Sequence, residues 1–257
     1  MNPTFFIGWN PNMPERNKKA LRLFLIPLFL LLPVGIYLIV SLETPFNDHH
    51  FELGTIREFN GVYFNDPQPL LVLNEAHVPA GYDREALLVG YGKFGAASTM
   101  AQAMERTGPL QGREIRLRGT LLYGDEKIVI ELTEGEASVL GEPSRHMHPV
   151  QMTKPKPIRL QGEIIDPKCW FGAMKPGEGK VHKSCAIRCI SGGIPPVLKI
   201  EQNKMNLYYL LEGIEDEPLN ETLLEFVAEP IEVSGNTYYQ NGWNVLQTSA
   251  KNIRYIN

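Results

Sequence analysis

Apolar and polar residues follow two different patterns along the chain. From Leu23 to Val40, eighteen consecutive residues carry no charge. Beyond about residue 50, apolar residues mostly alternate with polar ones in short runs, and this period of two is typical of β-strands. The pattern therefore predicts one apolar helix followed by a mainly β region.

The uncharged stretch is long enough to cross a bilayer, whose hydrocarbon core takes about 20 helical residues. We predict a transmembrane helix over residues 23–42, and membrane helices tolerate internal prolines such as Pro27 and Pro33. A cleaved signal peptide is the alternative. Its apolar segment would be shorter and would end in a small-x-small site, which residues 41–45 do not offer.

The charges that flank the apolar stretch predict its orientation. Arg16, Lys18, Lys19 and Arg22 precede it, whereas residues 43–56 contain no Lys or Arg. The positive-inside rule then places residues 1–22 in the cytosol as a short tail. The predicted location is the cytoplasmic (inner) membrane, with a single pass through the lipid bilayer and the C-terminal region in the periplasm or extracytoplasmic space.

The region after the helix repeats one order of elements. In the first half, strands are predicted near residues 52–64, 69–73, 87–92, 113–122 and 127–133, with a helix near 97–106. In the second half, strands are predicted near residues 158–165, 196–201, 206–211, 230–239 and 243–249, with a helical stretch near 217–226. In both halves the helix follows the third strand.

Five strands with a helix between the third and fourth is the element order of the OB fold. The predicted fold is therefore mainly β, with two tandem OB-like barrels at residues 43–140 and 158–257. A proline-rich linker at residues 141–157 joins them. The competing interpretation is one large β-sandwich, in which the glycines that end several strands are ordinary turn residues.

Composition and motifs exclude several classes of function. The chain has 25 basic and 29 acidic residues in 257, so it lacks the cationic field that nucleic-acid binding needs, and we predict no nucleic-acid partner. The glycine-rich segment 90–95 lacks the Gly-Lys-Ser/Thr ending of a phosphate loop and is predicted to be a turn. No complete hydrolase, kinase or dinucleotide-binding signature is present, which disfavours catalysis by this chain.

The main chemical signal is a cluster of cysteines with one histidine. All three cysteines lie within 21 residues, in the segment 166–196 that separates the first two strands of the second predicted barrel. Gly192, Gly193 and the prolines that follow predict the end of a helix over Val181 to Ile190. In such a helix His182, Cys185 and Cys189 lie on one face.

Three interpretations of this cluster stay open. In the first, Cys169 forms a disulfide with Cys185 or Cys189 and leaves one free thiol. In the second, Cys169, His182, Cys185 and Cys189 form a tetrahedral site for zinc or another soft-ligand metal. In the third, one cysteine is a reactive thiolate whose pKa is lowered by the lysines of the same segment.

The segment also resembles a motif of bacterial exported or membrane-anchored proteins of largely unassigned function. The matching residues are Asp166, Cys169, Gly172, Gly177, His182, Cys185, Ala186, Cys189, Gly193 and Pro195. The resemblance covers about 30 of the 257 residues. It implies an envelope location and a compact Cys/His element beside a small OB-like barrel, and it implies no catalytic residue.

Taken together, these features predict a membrane-anchored, extracytoplasmic binding and assembly protein. We expect an accessory subunit of a cell-envelope complex, such as a respiratory or redox complex, that has other membrane or envelope proteins as partners. The Cys/His insertion would be held by a disulfide or a metal. The alternative is a thiol-disulfide or metal-handling redox enzyme that uses Cys185 or Cys189.

Overall fold

The computed structural model describes residues 13–43, 47–74, 77–141, 143–203, 205–214 and 217–256. The chain divides into two compact units, Met1–Phe46 and Asn47–Asn257. Among the described residues, the first unit contains one helix and the second contains all the strands.

The N-terminal unit is built on helix α1, Glu15–Leu42, which includes Pro27 and Pro33. None of its 28 residues is buried, so its apolar side chains are not covered by protein. By length and composition α1 can cross a membrane. It begins eight residues before the uncharged stretch, so the basic residues from Arg16 to Arg22, which lie in the predicted cytosolic tail, are also helical. Residues 1–12 of the predicted tail lie outside the described residues.

The first half of the second unit forms a closed five-stranded barrel. Its elements are β1 (His50–Phe51), β2 (Arg57–Phe64), β3 (Leu70–Leu73), β4 (Glu85–Gly90), α2 (Ala97–Thr107), β5 (Glu114–Gly124), β6 (Lys127–Leu132) and β7 (Val139–Leu140). Strand β2 pairs with β3, β3 with β4, β4 with β6 in parallel, β6 with β5, and β5 with β2. Helix α2 lies between β4 and β5, and the short strands β1 and β7 pair antiparallel with β5.

The second half closes in the same order. Its elements are β8 (Lys156–Ile165), α3 (Lys183–Ser191), β9 (Val197–Gln202), β10 (Met205–Gly213), α4 (Leu219–Thr222), β11 (Pro230–Gln240), β12 (Trp243–Thr248) and β13 (Ile253–Tyr255). Strand β8 pairs with β9, β9 with β10, β10 with β12 in parallel, β12 with β11, and β11 with β8.

The prediction of two five-stranded barrels is confirmed, and the single β-sandwich is wrong because each sheet closes on itself. The helical stretch predicted near 217–226 is correct only in part, since it consists of α4 and a 3-10 turn at Leu224–Phe226.

The glycines that end the repeated strand pattern lie where a side chain would collide with the neighbouring strand. A Cβ at Gly119 would lie 2.6 Å from the carbonyl oxygen of Glu131, and one at Gly235 would lie 2.3 Å from that of Gln247.

Each barrel has its own apolar core, and a third apolar cluster between them joins the two barrels into a single compact unit. Each large side chain buried in this way contributes about 1.5–3 kcal/mol. The first barrel contributes Leu70, Leu87, Val89, Leu122 and Val129, and the second contributes Ile165, Trp170, Phe171, Ile194, Val197, Tyr208, Leu210 and Trp243, with Cys169 and Cys189 in the same cluster. The cysteines of the insertion therefore lie where the barrels meet.

Candidate metal centre

The insertion between β8 and β9 spans residues 166–196, as predicted from the sequence. It starts with a π-helical turn at Cys169–Ala173, and after a loop it continues as α3. The helix begins at Lys183, two residues later than predicted, with His182 at its N-cap. The N–H of Gly192 ends it by bonding the carbonyl oxygens of Arg188 and Cys189, each at 3.1 Å. These elements bring Cys169 against the face of α3.

Three thiols converge at this point. The sulfur atoms of Cys169, Cys185 and Cys189 all lie within 4.8 Å of one another, and those of Cys169 and Cys185 are 4.0 Å apart. Zinc–sulfur bonds of about 2.3 Å in a tetrahedron place the sulfurs about 3.8 Å apart. Cys169 and Cys189 are 5% and 1% exposed, while Cys185 is half-buried. Such a cluster could hold a metal ion.

The three cysteines are free thiols in the structure. A disulfide has an S–S bond of about 2.05 Å, roughly half the distance between the sulfurs of Cys169 and Cys185. The predicted disulfide from Cys169 to Cys185 or Cys189 is therefore not formed.

A second group of ligand atoms overlaps the first. Asp166, Cys169 and His182 also place their ligand atoms within 4.8 Å of one another, and Asp166 and His182 are 0% and 3% exposed. Asp166 Oδ1 accepts the backbone N–H groups of Lys168 at 2.9 Å and Cys169 at 3.3 Å. Asp166 Oδ2 and His182 Nε2 have no hydrogen-bond partner among the described residues.

The four residues predicted as metal ligands are thus divided between two groups that share Cys169. His182 belongs with Asp166 and Cys169, and the other two thiols complete the first group. Asp166 was absent from the predicted ligands. The available signals were its position three residues before Cys169 and its place among the matching residues of the motif, but a single acidic residue near a cysteine is too common to be selective.

Burial and neighbouring groups change the protonation of this site. The pKa of the Cys169 thiol is raised far above its ordinary value by a hydrogen bond with Cys189, by burial and by the negative charge of Asp166. Burial lowers the pKa of His182, and Lys93 adds to this effect, whereas Asp166 opposes it. Without a metal, Cys169 is therefore a protonated thiol and His182 is a neutral imidazole, which is the form that ligates metals.

The positive charge at the thiols comes from the other barrel. Lys93 Nζ lies 2.9 Å from Cys185 Sγ, to which it donates a hydrogen bond, and 3.8 Å from Cys189 Sγ. The bond to Cys185 raises the pKa of Lys93. The four lysines of the insertion have other partners, so they do not supply this charge as predicted. Lys168 pairs with Glu131, both Lys180 and Lys183 pair with Glu229, and Lys175 donates to the carbonyl oxygen of Asn47.

A buried ion pair holds the loop that carries Lys93. The side chains of Lys168 and Glu131 are 6% and 5% exposed and form a salt bridge. Lys168 Nζ also donates to the carbonyl oxygens of Gly90 at 3.0 Å and Gly92 at 2.5 Å, and the N–H of Gly92 donates to Glu131 at 3.2 Å. Removing one partner of a buried pair costs about 3–5 kcal/mol because the other charge is left uncompensated.

The same loop lies directly on the end of α3. The N–H of Gly95 donates to the carbonyl oxygen of Gly192 at 3.0 Å. A Cβ at Gly192 would lie 1.9 Å from the carbonyl oxygen of Lys93, so a side chain there would push the loop away. The turn predicted for residues 90–95 is therefore also part of the site.

No protein-family model matches the chain, and a search of curated proteins finds no relative. The resemblance of the Cys/His segment to exported bacterial proteins accordingly stays a prediction. Chemically, the centre offers two groups of ligands around one shared thiol, shielded by two barrels and faced by one ammonium group.

Proposed function

We propose that the protein is a membrane-anchored metal-binding accessory protein of the cell envelope. Its α1 helix anchors two OB-like barrels on the extracytoplasmic side, and Cys169, Cys185 and Cys189 bind a soft metal ion between them. The observation that carries the proposal is the convergence of three thiols, two of them almost fully buried, at the spacing of metal ligands.

The donor atoms favour zinc or copper(I). Thiolates are soft ligands that select these ions over calcium or magnesium, which prefer oxygen. Binding removes the proton of Cys169, whose pKa is raised in the metal-free site. Lys93 partly balances the negative charge of the thiolates.

The surroundings of the site support contact with a partner protein. Cys185 is the half-buried member of the cluster, so the metal would be reached from its side. Tyr91 and Phe94 flank Lys93 and are 68% and 65% exposed. Exposed aromatic side chains are enriched where proteins bind one another. A partner that docks on this loop would meet the metal, as expected for an accessory subunit of an envelope complex.

The strand order supports the OB-like assignment. Each barrel runs first, second, third, fifth, fourth strand around its circumference, with helical residues between the third and fourth. OB barrels bind ligands on loops that follow the first strand. The insertion that carries the cysteines follows the first strand of the second barrel.

The proposal is tested by the metal content of the full chain, purified in mild detergent with reductant and titrated with zinc and with copper(I). Tight binding of either ion is expected. The variants Cys169→Ser, Cys185→Ser and Cys189→Ser should each weaken binding at least about tenfold. Ser184→Ala, an exposed neighbour on α3, should leave it unchanged. If the protein binds neither zinc nor copper(I), the proposal is refuted.

One observation favours a second candidate, a thiol-disulfide enzyme. Cys185 is half-buried, receives the ammonium hydrogen bond and lies 4.0 Å from a second sulfur, that of Cys169. Cys185 would attack a substrate disulfide, and Cys169 would then displace the substrate thiol and form the internal disulfide. Rapid reduction of glutathione disulfide by the metal-free protein, lost in Cys185→Ser, would favour the enzyme over the metal-binding protein.

A further inference from the structure

We infer that the centre binds two metal ions, with Asp166, Cys169 and His182 as the ligands of the second and the Cys169 thiolate as a bridge between them. This inference rests on the proposed metal binding at the three cysteines. It adds a separate position with a different donor set.

The geometry gives each ion its own ligands. Cys185 and Cys189 belong only to the first group, Asp166 and His182 belong only to the second, and Cys169 is common to both. Donor atoms around a tetrahedral zinc ion are about 3.3–3.8 Å apart, given metal bonds of about 2.0–2.3 Å. Because each group lies within 4.8 Å, side-chain closure of about 1.5 Å or less suffices to surround an ion.

Two unpartnered buried atoms point independently to the second ion. Asp166 Oδ2 and His182 Nε2 have no hydrogen-bond partner among the described residues, although both side chains are at least 97% buried. Buried polar atoms are almost always paired, because leaving them unpaired is costly. A cation held by both atoms and by Cys169 would satisfy them at once.

The charge distribution differs between the two positions. Lys93 contacts Cys185 and Cys189 directly, so it compensates mainly the thiol half of the centre, although its charge also reaches His182. Asp166 is completely buried, and among its described contacts are the backbone N–H groups of Lys168 and Cys169. The second donor set contains one oxygen, one nitrogen and one sulfur, which suits zinc better than copper(I). We therefore expect zinc at the second position.

The test is a titration of the metal-free full chain in detergent with zinc alone, and with cobalt(II) as a spectroscopic substitute. The wild-type protein should bind two ions per chain, and its two cobalt ions should be magnetically coupled through the shared thiolate. Asp166→Asn and His182→Asn should each bind one ion and keep the sulfur-to-cobalt charge-transfer band. The exposed residues Asp48 and His50 provide matched controls, and Asp48→Asn and His50→Asn should still bind two.

The outcomes are distinguishable. One ion per wild-type chain, unaffected by Asp166→Asn and His182→Asn, would overturn the second position and leave the proposed function intact. One ion whose affinity falls in His182→Asn would make His182 a ligand of a single centre, which also overturns the inference. Failure to bind zinc or cobalt(II) would overturn the inference, and the copper(I) titration described above would then decide whether the proposed function is refuted as well. If Asp166→Asn does not fold, His182→Asn and the magnetic coupling of the wild type decide the matter.

Discussion

The ammonium group of Lys93 contacts two thiols that belong to the other barrel and lie more than 90 positions further along the chain. The thiolate is both the nucleophile and the metal ligand. When Cys185 binds a metal or attacks an electrophile, the hydrogen bond from Lys93 is placed to stabilise the negative charge of its sulfur.

We predict that Lys93→Met makes alkylation of Cys185 by iodoacetamide at neutral pH about three to ten times slower, because the hydrogen bond that stabilises the thiolate is lost. Peptide mass spectrometry of the metal-free protein over time gives the rate. Lys180→Met is the control, since the Lys180 side chain is 80% exposed and pairs with Glu229. Equal rates for Lys93→Met and the wild type would contradict this role.

A second network of single residues joins the barrels at Asp125. One carboxylate oxygen lies 3.1 Å from His49 Nε2, and the other accepts hydrogen bonds from Tyr208 and from Asn206. His49 Nδ1 lies 2.7 Å from the carbonyl oxygen of Trp170. Burial raises the pKa of Asp125, but these three contacts outweigh burial and hold the pKa well below its ordinary value.

Asp125→Asn should lower the free energy of unfolding at pH 7 by about 1–2 kcal/mol, the usual effect of losing a hydrogen-bonded charge. Because the folded-state pKa is depressed, this stabilisation is complete above the unfolded pKa of about 3.9 and is lost as the pH falls through the folded value. The difference between wild type and variant should therefore shrink below about pH 4. Denaturant unfolding across this range measures it, and a pH-independent difference would contradict the explanation.

At the scale of elements, the sequence predicts the insertion and most of α3, because glycines and prolines mark the ends and cysteine spacing marks the face. It does not predict the loop at residues 90–95 as part of the site. That role depends on backbone contacts between Gly95 and Gly192 and on the buried pair of Lys168 and Glu131, which join residues far apart in the chain. No local pattern encodes such contacts.

Gly192→Ala should weaken metal binding, because the new Cβ would lie 1.9 Å from the carbonyl oxygen of Lys93 and force the loop away from α3. We expect a destabilisation of about 1–3 kcal/mol, as for other overpacked positions, and faster proteolysis near residue 93. Ser184→Ala on the same helix is the control. Unchanged metal affinity and stability in Gly192→Ala would show that the loop can move without affecting the site.

At the scale of the molecule, alternation with a period of two predicts both barrels, yet it does not predict that they pack together. The signal was present in β4 and β6, where Ala86–Val89 and Ile128–Ile130 are continuous apolar runs buried on both faces. Such runs are typical of strands covered on two sides. The side chains on one face of these two strands pack inside the first barrel, and those on the other face pack against the second barrel.

The proposed role of α1 as a membrane anchor gives a prediction for the whole chain. Expressed in a bacterial host, the full chain should stay with membranes after an alkaline carbonate wash, and a chain without residues 1–42 should be soluble, because Asn47–Asn257 forms its own compact unit. Protease added to spheroplasts should digest the barrels. Protection of the barrels, or release of the full chain by the wash, would contradict the proposed topology.

The insertion at residues 166–196 is not a self-contained unit that could be moved to another protein. Grafting residues 166–196 onto an unrelated barrel would carry the sulfur, imidazole and carboxylate donors, yet it would leave behind the ammonium of Lys93 and the carboxylate of Glu131, both of which the first barrel supplies. The recipient would gain ligands without their electrostatic complement. Protein engineers who borrow this centre would need to move both barrels together.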